Sequence, residues 1–363
     1  MIVHDAAQTT HAVADRSRLA RWRGAWAAAA ARHPGLAWLS RWGISAASLC
    51  SGALTLVVFR RGLDYFPWFV GYLLLAWLAA VVLVERRRRL AERGHRTTSL
   101  VVEYTVQSLL HGLLLFLLPI YYASTTLASK NAWLLVLLAA AALLTTVDPW
   151  YRAAARRLPG LETGLFALGL FASLNVAFPL LRLPTAWGLP LSAAASLLAL
   201  APLVRRAAGE HGREALALLA AAAIGAGLLC GAARAWFPPV PLHVPRAMFA
   251  RDVAQLEPVE PLVRAAASDL RGQPVAAFSA VAAPAGLQEG IQHVWRKDGK
   301  VVARIPLAVR GGRPGGFRTF SRKADLGPDP AGEWVLEVLT QGGQLIGRAR
   351  MTLLPDAPPA PRP

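Results

Sequence analysis

The sequence predicts a polytopic α-helical membrane protein of seven spans followed by a small all-β antiparallel sandwich domain. Three observations predict this class. Hydrophobic residues make up 55% of the 363-residue chain and the mean hydropathy is +0.40, too apolar for an ordinary soluble protein. Apolar runs of helical length recur between short arginine clusters as far as Phe237. Beyond Phe237 the composition switches to prolines and then to alternating apolar residues punctuated by glycine turns.

Residues 1–42 form a cytoplasmic basic tail. Within it RSRLARWRGAWAAAAARH places Leu19, Trp22 and Trp26 on one helical face flanked by arginines, which suits a helix lying on the inner leaflet; a solvated basic tail is the alternative. The membrane domain covers 43–237. A hydrocarbon core takes about 17 to 25 helical residues, and the candidate spans are 43–59, 67–84, 100–121, 132–147, 161–181, 186–204 and 215–237, the fourth being the shortest. The tail and the loops at 85–99, 149–160 and 205–214 carry six, six, three and three Lys and Arg residues, whereas the alternate loops hold only Arg60, Arg61, Lys130 and Arg182. The positive-inside rule then places the N-terminus in the cytoplasm of a bacterial inner membrane and the C-terminal domain outside, in the periplasm. Trp68, Tyr121, Tyr122, Trp133, Trp187 and Trp236 fall at the outer interface, and Trp42, Trp150 and Tyr151 at the inner one.

The net charge of +18 does not point to nucleic acid, because the arginines of the first half are topology clusters between apolar runs. Cys50 and Cys230 both lie within apolar runs, so neither a disulfide framework nor a CxxC metal site is implied. No cleavable signal peptide is visible, since the first apolar run leads straight into Arg60-Arg61. Small residues four apart, such as Gly227 and Gly231, read as close helix packing.

One intramembrane feature carries chemistry. In VVEYTVQSLLH, Glu103, Gln107 and His111 are successive i, i+4 neighbours and line one stripe of the third span, with Asn175, Asp148 and Glu162 as candidate partners. Ionisable residues at membrane depth mark proton relays or polar substrate paths, or serve as interhelical hydrogen-bond donors.

Residues 238–249 read as a Pro-rich linker and 250–363 as the extracytoplasmic sandwich with a disordered Pro-rich tail, opened by a short helix at 250–271. Six strands follow near 274–283, 290–297, 300–309, 316–323, 333–341 and 344–354, with tight turns at Asp298-Gly299 and Gly342-Gly343 and with Trp295 and Trp334 as core anchors. Val301, Ala303, Ile305, Leu307 and Val309 are placed inward, which turns Arg304 outward.

HVWRKDGKVVARIPLAVRGGRPGGFRTFSRK followed by GEWVLEVLTQGGQLIGRARMTL closely resembles the bacterial domain-of-unknown-function family 2914. The resemblance is carried by His293, Trp295, Arg318, Thr319, Ser321, Lys323, Gly332, Trp334 and Gly347. The preceding region is similar to the multi-span membrane family 5924. These resemblances imply architecture and bacterial origin, and no activity or catalytic residue.

HExxH, GxSxG and Walker A signatures are missing, so no catalytic residue, cofactor or metal is assigned and the chain reads as a binding module rather than an enzyme. His293, Ser321 and Asp325 offer triad residue types without triad geometry. Charge is the clearer signal. Arg296, Arg304, Arg310, Arg313 and Arg318 fall in a basic stretch that suits binding or sensing of an anionic envelope component: a lipid headgroup, a wall polymer or a periplasmic protein. The second reading is a polytopic transporter or membrane-embedded enzyme that uses the span-three stripe.

Overall fold

The computed structural model describes residues 96–313 and 315–356, with side chains from Gln107 onward apart from that of Asp148. The basic tail, the spans expected at 43–59 and 67–84 and the C-terminal proline tail lie outside the described residues. The helical region comprises α1 (Arg96–Ser124), α2 (Ala132–Thr146), α3 (Asp148–Arg157), α4 (Leu161–Leu180), α5 (Thr185–Leu198), α6 (Ala201–Ala208) and α7 (Gly212–Ala232).

Among the described residues, on which five of the seven expected spans fall, the architecture does not provide five separate spans. Among the described residues three stretches are long and apolar enough to cross a membrane: Gln107–Ser124, Leu161–Leu180 and Thr185–Ala232. A fourth is reached only if α2 and α3, bent by 107°, count as one broken span. The physical reason is that hydropathy does not register helix breaks. α2 has 15 residues, and at about 1.5 Å rise per residue it is shorter than a core about 30 Å thick. Pro149, in the first turn of α3, has no N–H with which to continue the α2 ladder. α5, expected over 186–204, has 14 residues, and Pro202 stands in the first turn of α6. α7 then packs back against α5, so Thr185–Ala232 is a helical hairpin in which a Cβ on Gly227 would come within 3.1 Å of the Pro190 carbonyl. Leu114, Leu117 and Tyr121 of α1, Leu134 and Leu138 of α2, Val176 of α4 and Leu189 of α5 form the shared core.

The second unit holds nine strands in two sheets that do not form a barrel: β1 (His243–Ala254), β2 (Glu257–Leu262), β3 (Arg264–Ala266), β4 (Val275–Ala282), β5 (Gln288–Lys297), β6 (Lys300–Arg310), β7 (Phe317–Lys323), β8 (Gly332–Thr340) and β9 (Leu345–Leu354). One sheet has the order β2-β1-β4-β7 and the other β3-β9-β8-β5-β6. Phe249, Val275, Ala277 and Val281 of the first meet Ile291, Trp295, Trp334, Leu336 and Met351 of the second in one core. Trp295 stands edge-on to both Phe249 and Trp334, with ring centroids 5.2 and 6.4 Å away.

The six expected strands correspond to β4–β9. Asp298-Gly299 makes its tight turn with φ of 47° and 79°, the left-handed pair that a type I′ hairpin requires. The segment 250–271, expected as a helix, is instead the end of β1 together with β2, β3 and a 3-10 turn at Ser268–Leu270. Pro258 and Pro261 deny it a helical ladder, and the β1–β2 turn places Gln255 and Leu256 at φ of 51° and 59° without any glycine to announce it. β1 also begins within the expected linker. Pro245 is tolerated in this inner strand because the β1–β4 register shifts between His243 and Arg246.

Candidate functional site

Two residues of the intramembrane stripe, Gln107 and His111, meet the end of α2. Gln107 Nε2 donates to the Thr145 carbonyl at 3.0 Å. That carbonyl would accept from residue 149 in a continuous helix, and residue 149 is proline. His111 Nδ1 lies 3.1 Å from the Thr146 hydroxyl, one residue further along the same broken end. Asn175 is not brought to this place: its Nδ2 donates to the Tyr121 hydroxyl at 3.3 Å, and that hydroxyl donates to the Ala172 carbonyl at 3.1 Å. Glu103 lies on α1, and its side chain is outside the described ones.

The sandwich sits on the helix ends formed by 125–131, 181–184 and 233–242. Asn131 Nδ2 donates to the Leu345 carbonyl at 3.1 Å, Gln344 Nε2 to that of Phe237 at 3.3 Å, and Arg348 Nη1 to that of Ala128 at 3.2 Å. The buried Glu289 of β5 accepts both from the Thr185 N–H, at 3.1 Å, and from the Thr185 hydroxyl, at 3.0 Å. The residue before α5 is Pro184, which offers no side-chain cap, so Glu289 supplies the carboxylate that a helix N-terminus favours. Burial pushes the Glu289 carboxyl above its usual range, and the two bonds from Thr185 oppose that shift. This contact was not legible in the sequence, because Glu289 is 104 positions from Thr185 and lies just before the strand expected at 290–297.

The basic residues divide into two kinds. Arg296 donates to Glu337 at 2.8 Å, and Arg348 reaches the other oxygen of the same carboxylate at 2.9 Å. Arg318, on the other sheet, is 2.5 Å from Glu257, which also pairs with Arg246 at 3.1 Å. Arg304 and Arg310 are exposed on the outward face of β6, in alternation with Ala303, Ile305, Leu307 and Val309. β6 is the edge of its sheet. Arg313, just beyond β6, holds its guanidinium 4.8 Å from the Phe317 ring. Among the described residues none of Arg304, Arg310 and Arg313 is in an ion pair. Val301 departs from the expected inward phase and is exposed, because the β5–β6 register slips between Trp295 and Arg296.

His293 and Ser321 do meet, in the sealed interior between the sheets. Ser279 Oγ is 2.8 Å from His293 Nε2, Ser321 Oγ is 2.9 Å from His293 Nδ1, and Trp295 Nε1 donates to Ser321 Oγ at 2.9 Å. A neutral ring with its proton on Nε2 fits this set: Trp295 donates to Ser321, Ser321 to Nδ1, and Nε2 to Ser279. Burial lowers the His293 pKa to about 4. Asp325 plays no part in this chain, its carboxylate accepting from the Gly327 N–H at 3.0 Å. With His293 and Ser279 both fully buried, the network bridges sheets and has no opening for a substrate.

Residues 288–352, the five strands β5–β9 almost in full, match the family described as protein of unknown function (DUF2914). No curated protein and no solved structure matches the chain. Residues 23–277, which include the described helices, β1–β3 and the start of β4, match the family of unknown function DUF5924 over more than half of the chain, which therefore belongs to that family.

Proposed function

We propose that this protein is a membrane-anchored module whose sandwich lies outside the cytoplasm and binds an anionic envelope component along β6. The observation that carries the reading is the division of the arginines. Arg304 and Arg310 share the exposed face of an edge strand free of ion pairs among the described residues, whereas Arg296 and Arg318 are each neutralised by a carboxylate. A guanidinium with its donors open to solvent is suited to bidentate recognition of phosphate or carboxylate.

Sidedness rests on charge at the two ends of the helices. The ends remote from the sandwich carry Arg152, Arg156, Arg157, Arg205, Arg206 and Arg213, and those beneath it carry Lys130, Arg182 and Arg234. The positive-inside rule favours the first set in the cytoplasm. Tyr122, Trp133, Trp187 and Trp236 are exposed at the sandwich end, as a headgroup-level aromatic belt would be.

The test uses the full chain in nanodiscs of zwitterionic lipid, titrated with soluble polyphosphate. Binding is expected to weaken as salt rises past about 0.15 M, where the Debye length is about 8 Å. Arg304→Glu with Arg310→Glu should abolish it, and Arg318→Gln should leave it near the wild-type level. Salt-insensitive binding, or binding retained by the double variant, overturns the reading. A reporter fused after Pro363 should be active outside the cytoplasm, and cytoplasmic activity would overturn the sidedness.

A further inference from the structure

The connection between α4 and α5 holds an arginine where a glycine is usual. After α4 ends, the Arg182 N–H donates to the Pro179 carbonyl and the Leu183 N–H to that of Phe178, both at 3.0 Å. This pair of bonds is a Schellman motif, and Arg182 occupies its left-handed position with φ of 70°. Glycine takes that conformation without steric cost, and arginine does not. The side chain therefore has a reason to be there beyond ending a helix.

Arg182 turns its guanidinium toward the sandwich. A Cβ placed on Gly286 would fall 2.6 Å from Arg182 Nε, so the side chain lies directly against the loop 283–287. The same loop is gripped from its other side by the end of β6: Gly311 N donates to the Leu287 carbonyl at 2.9 Å and Gly312 N to that of Ala283 at 3.0 Å. Arg310 and Arg313 flank those two glycines. Three exposed arginines thus ring one loop at the corner where the sandwich meets the helix ends, and among the described residues none is in an ion pair. Trp187, 65% exposed in the first turn of α5, stands five positions from Arg182 at the level of the aromatic belt.

We propose that this corner binds the phosphate of an anionic membrane lipid, with Arg182, Arg310 and Arg313 as its donors and Trp187 as the neighbouring interfacial anchor. The proposal rests on the reading of β6 as an anion-binding edge and names the ligand class at its membrane-proximal end. A headgroup is favoured over a soluble anion because the corner lies beside the aromatic belt, where lipid phosphates are concentrated.

The experiment uses the full chain in neutral detergent, with native mass spectrometry against dioctanoyl phosphatidylglycerol, dioctanoyl phosphatidylcholine and inorganic phosphate. Phosphatidylglycerol should bind roughly tenfold more tightly than phosphatidylcholine, and Arg182→Gly should remove most of that preference. The same variant should melt at or above the wild-type temperature, because glycine relieves the left-handed backbone; a purely structural arginine would give no loss of lipid. Arg182→Asn, which also tolerates this conformation, should repeat the result. Equal binding of the two lipids, an unchanged preference in both variants, or displacement of lipid by inorganic phosphate at matching concentration would overturn the proposal. Polyphosphate binding along Arg304 and Arg310 is scored separately, so it can persist when the lipid site fails.

Discussion

The helical region and the sandwich satisfy their buried polar side chains in opposite ways. In the helices several are settled on a backbone carbonyl, Gln107 on Thr145, Tyr121 on Ala172, Ser173 on Gly169 and Ser192 on Gly188, and side-chain pairs are short, as in Asn175 with Tyr121 and His111 with Thr146. In the sandwich they bond to one another across strands and sheets, as in Ser279, His293, Ser321 and Trp295, or Arg296, Glu337 and Arg348. Single bonds to backbone are replaceable one at a time. A chain of side chains is not, because removing one member leaves the others buried without their partners. The difference also bears on mechanism, since the bonds that Gln107 and His111 make to the end of α2 give these residues a structural use beside any polar path.

The sharpest break of the comparison is at His293. Removing the ring by His293→Ala should cost roughly 3 kcal/mol or more, from the cavity together with the Ser279 and Ser321 hydroxyls that lose their ring partner, the Trp295 indole N–H keeping its bond to Ser321. The same residue sets a pH dependence. Its folded pKa of about 4 lies below the ordinary 6.5, so the unfolded chain binds the proton more readily. Stability from this group is complete above 6.5 and is lost as pH falls toward 4, by about 3 kcal/mol in all. Urea melts of the full chain between pH 7 and pH 4 should show that slope, and His293→Gln should flatten it.

Glu337 comes next. Its carboxylate is held by both Arg296 and Arg348 with 8% of the residue exposed, and Glu337→Ala leaves two cations facing each other. The expected loss is about 2 kcal/mol, below the range for fully buried pairs because both arginines are partly exposed. The variant also tests the division of the arginines, since freeing Arg296 should increase polyphosphate binding.

How much of this was legible in the sequence depends on the range of the interaction. Strands β4–β9 and the Asp298-Gly299 turn were, because alternation and left-handed turn residues are local signals. The inward phase of Trp295 and Trp334 followed from the same alternation. β1 and β2 were not, since Gln255-Leu256 turns without glycine and the prolines mimic a linker. The basic stretch was visible as charge, but its neutralisation was not: Glu337 is 41 positions from Arg296, and Glu257 is 61 from Arg318. Among the described residues the span count fell short because apolar length does not reveal where proline interrupts a helix.

The seam between the two regions should be intermediate in cost. Glu289→Ala removes the only cap that α5 receives from the sandwich among the described residues, and about 1 kcal/mol is expected, the typical worth of an N-cap. Hydrogen exchange at Thr185–Gly188 should accelerate while exchange in the β5–β8 ladder stays unchanged. Acceleration in both would mean that the sandwich depends on the helices for its own stability, and the two regions would have to be treated as one cooperative unit.

The smallest effect should be at Gln107. Its amide satisfies one carbonyl that Pro149 leaves open, and interhelical hydrogen bonds in membranes average about 0.6 kcal/mol, because the chain finds other partners when one is removed. Gln107→Ala should therefore insert and melt almost as the wild type does in detergent, and Gln107→Ala combined with His111→Ala should cost close to the sum of the two single changes. Additivity is the decisive part. If Gln107 and His111 only cap the end of α2, each bonds its own target, Thr145 or Thr146, and a double-mutant cycle gives no coupling. A coupling energy above about 1 kcal/mol would show that the stripe acts as a unit, as the networks of the sandwich do, and would favour a polar path through the helices as a candidate for function.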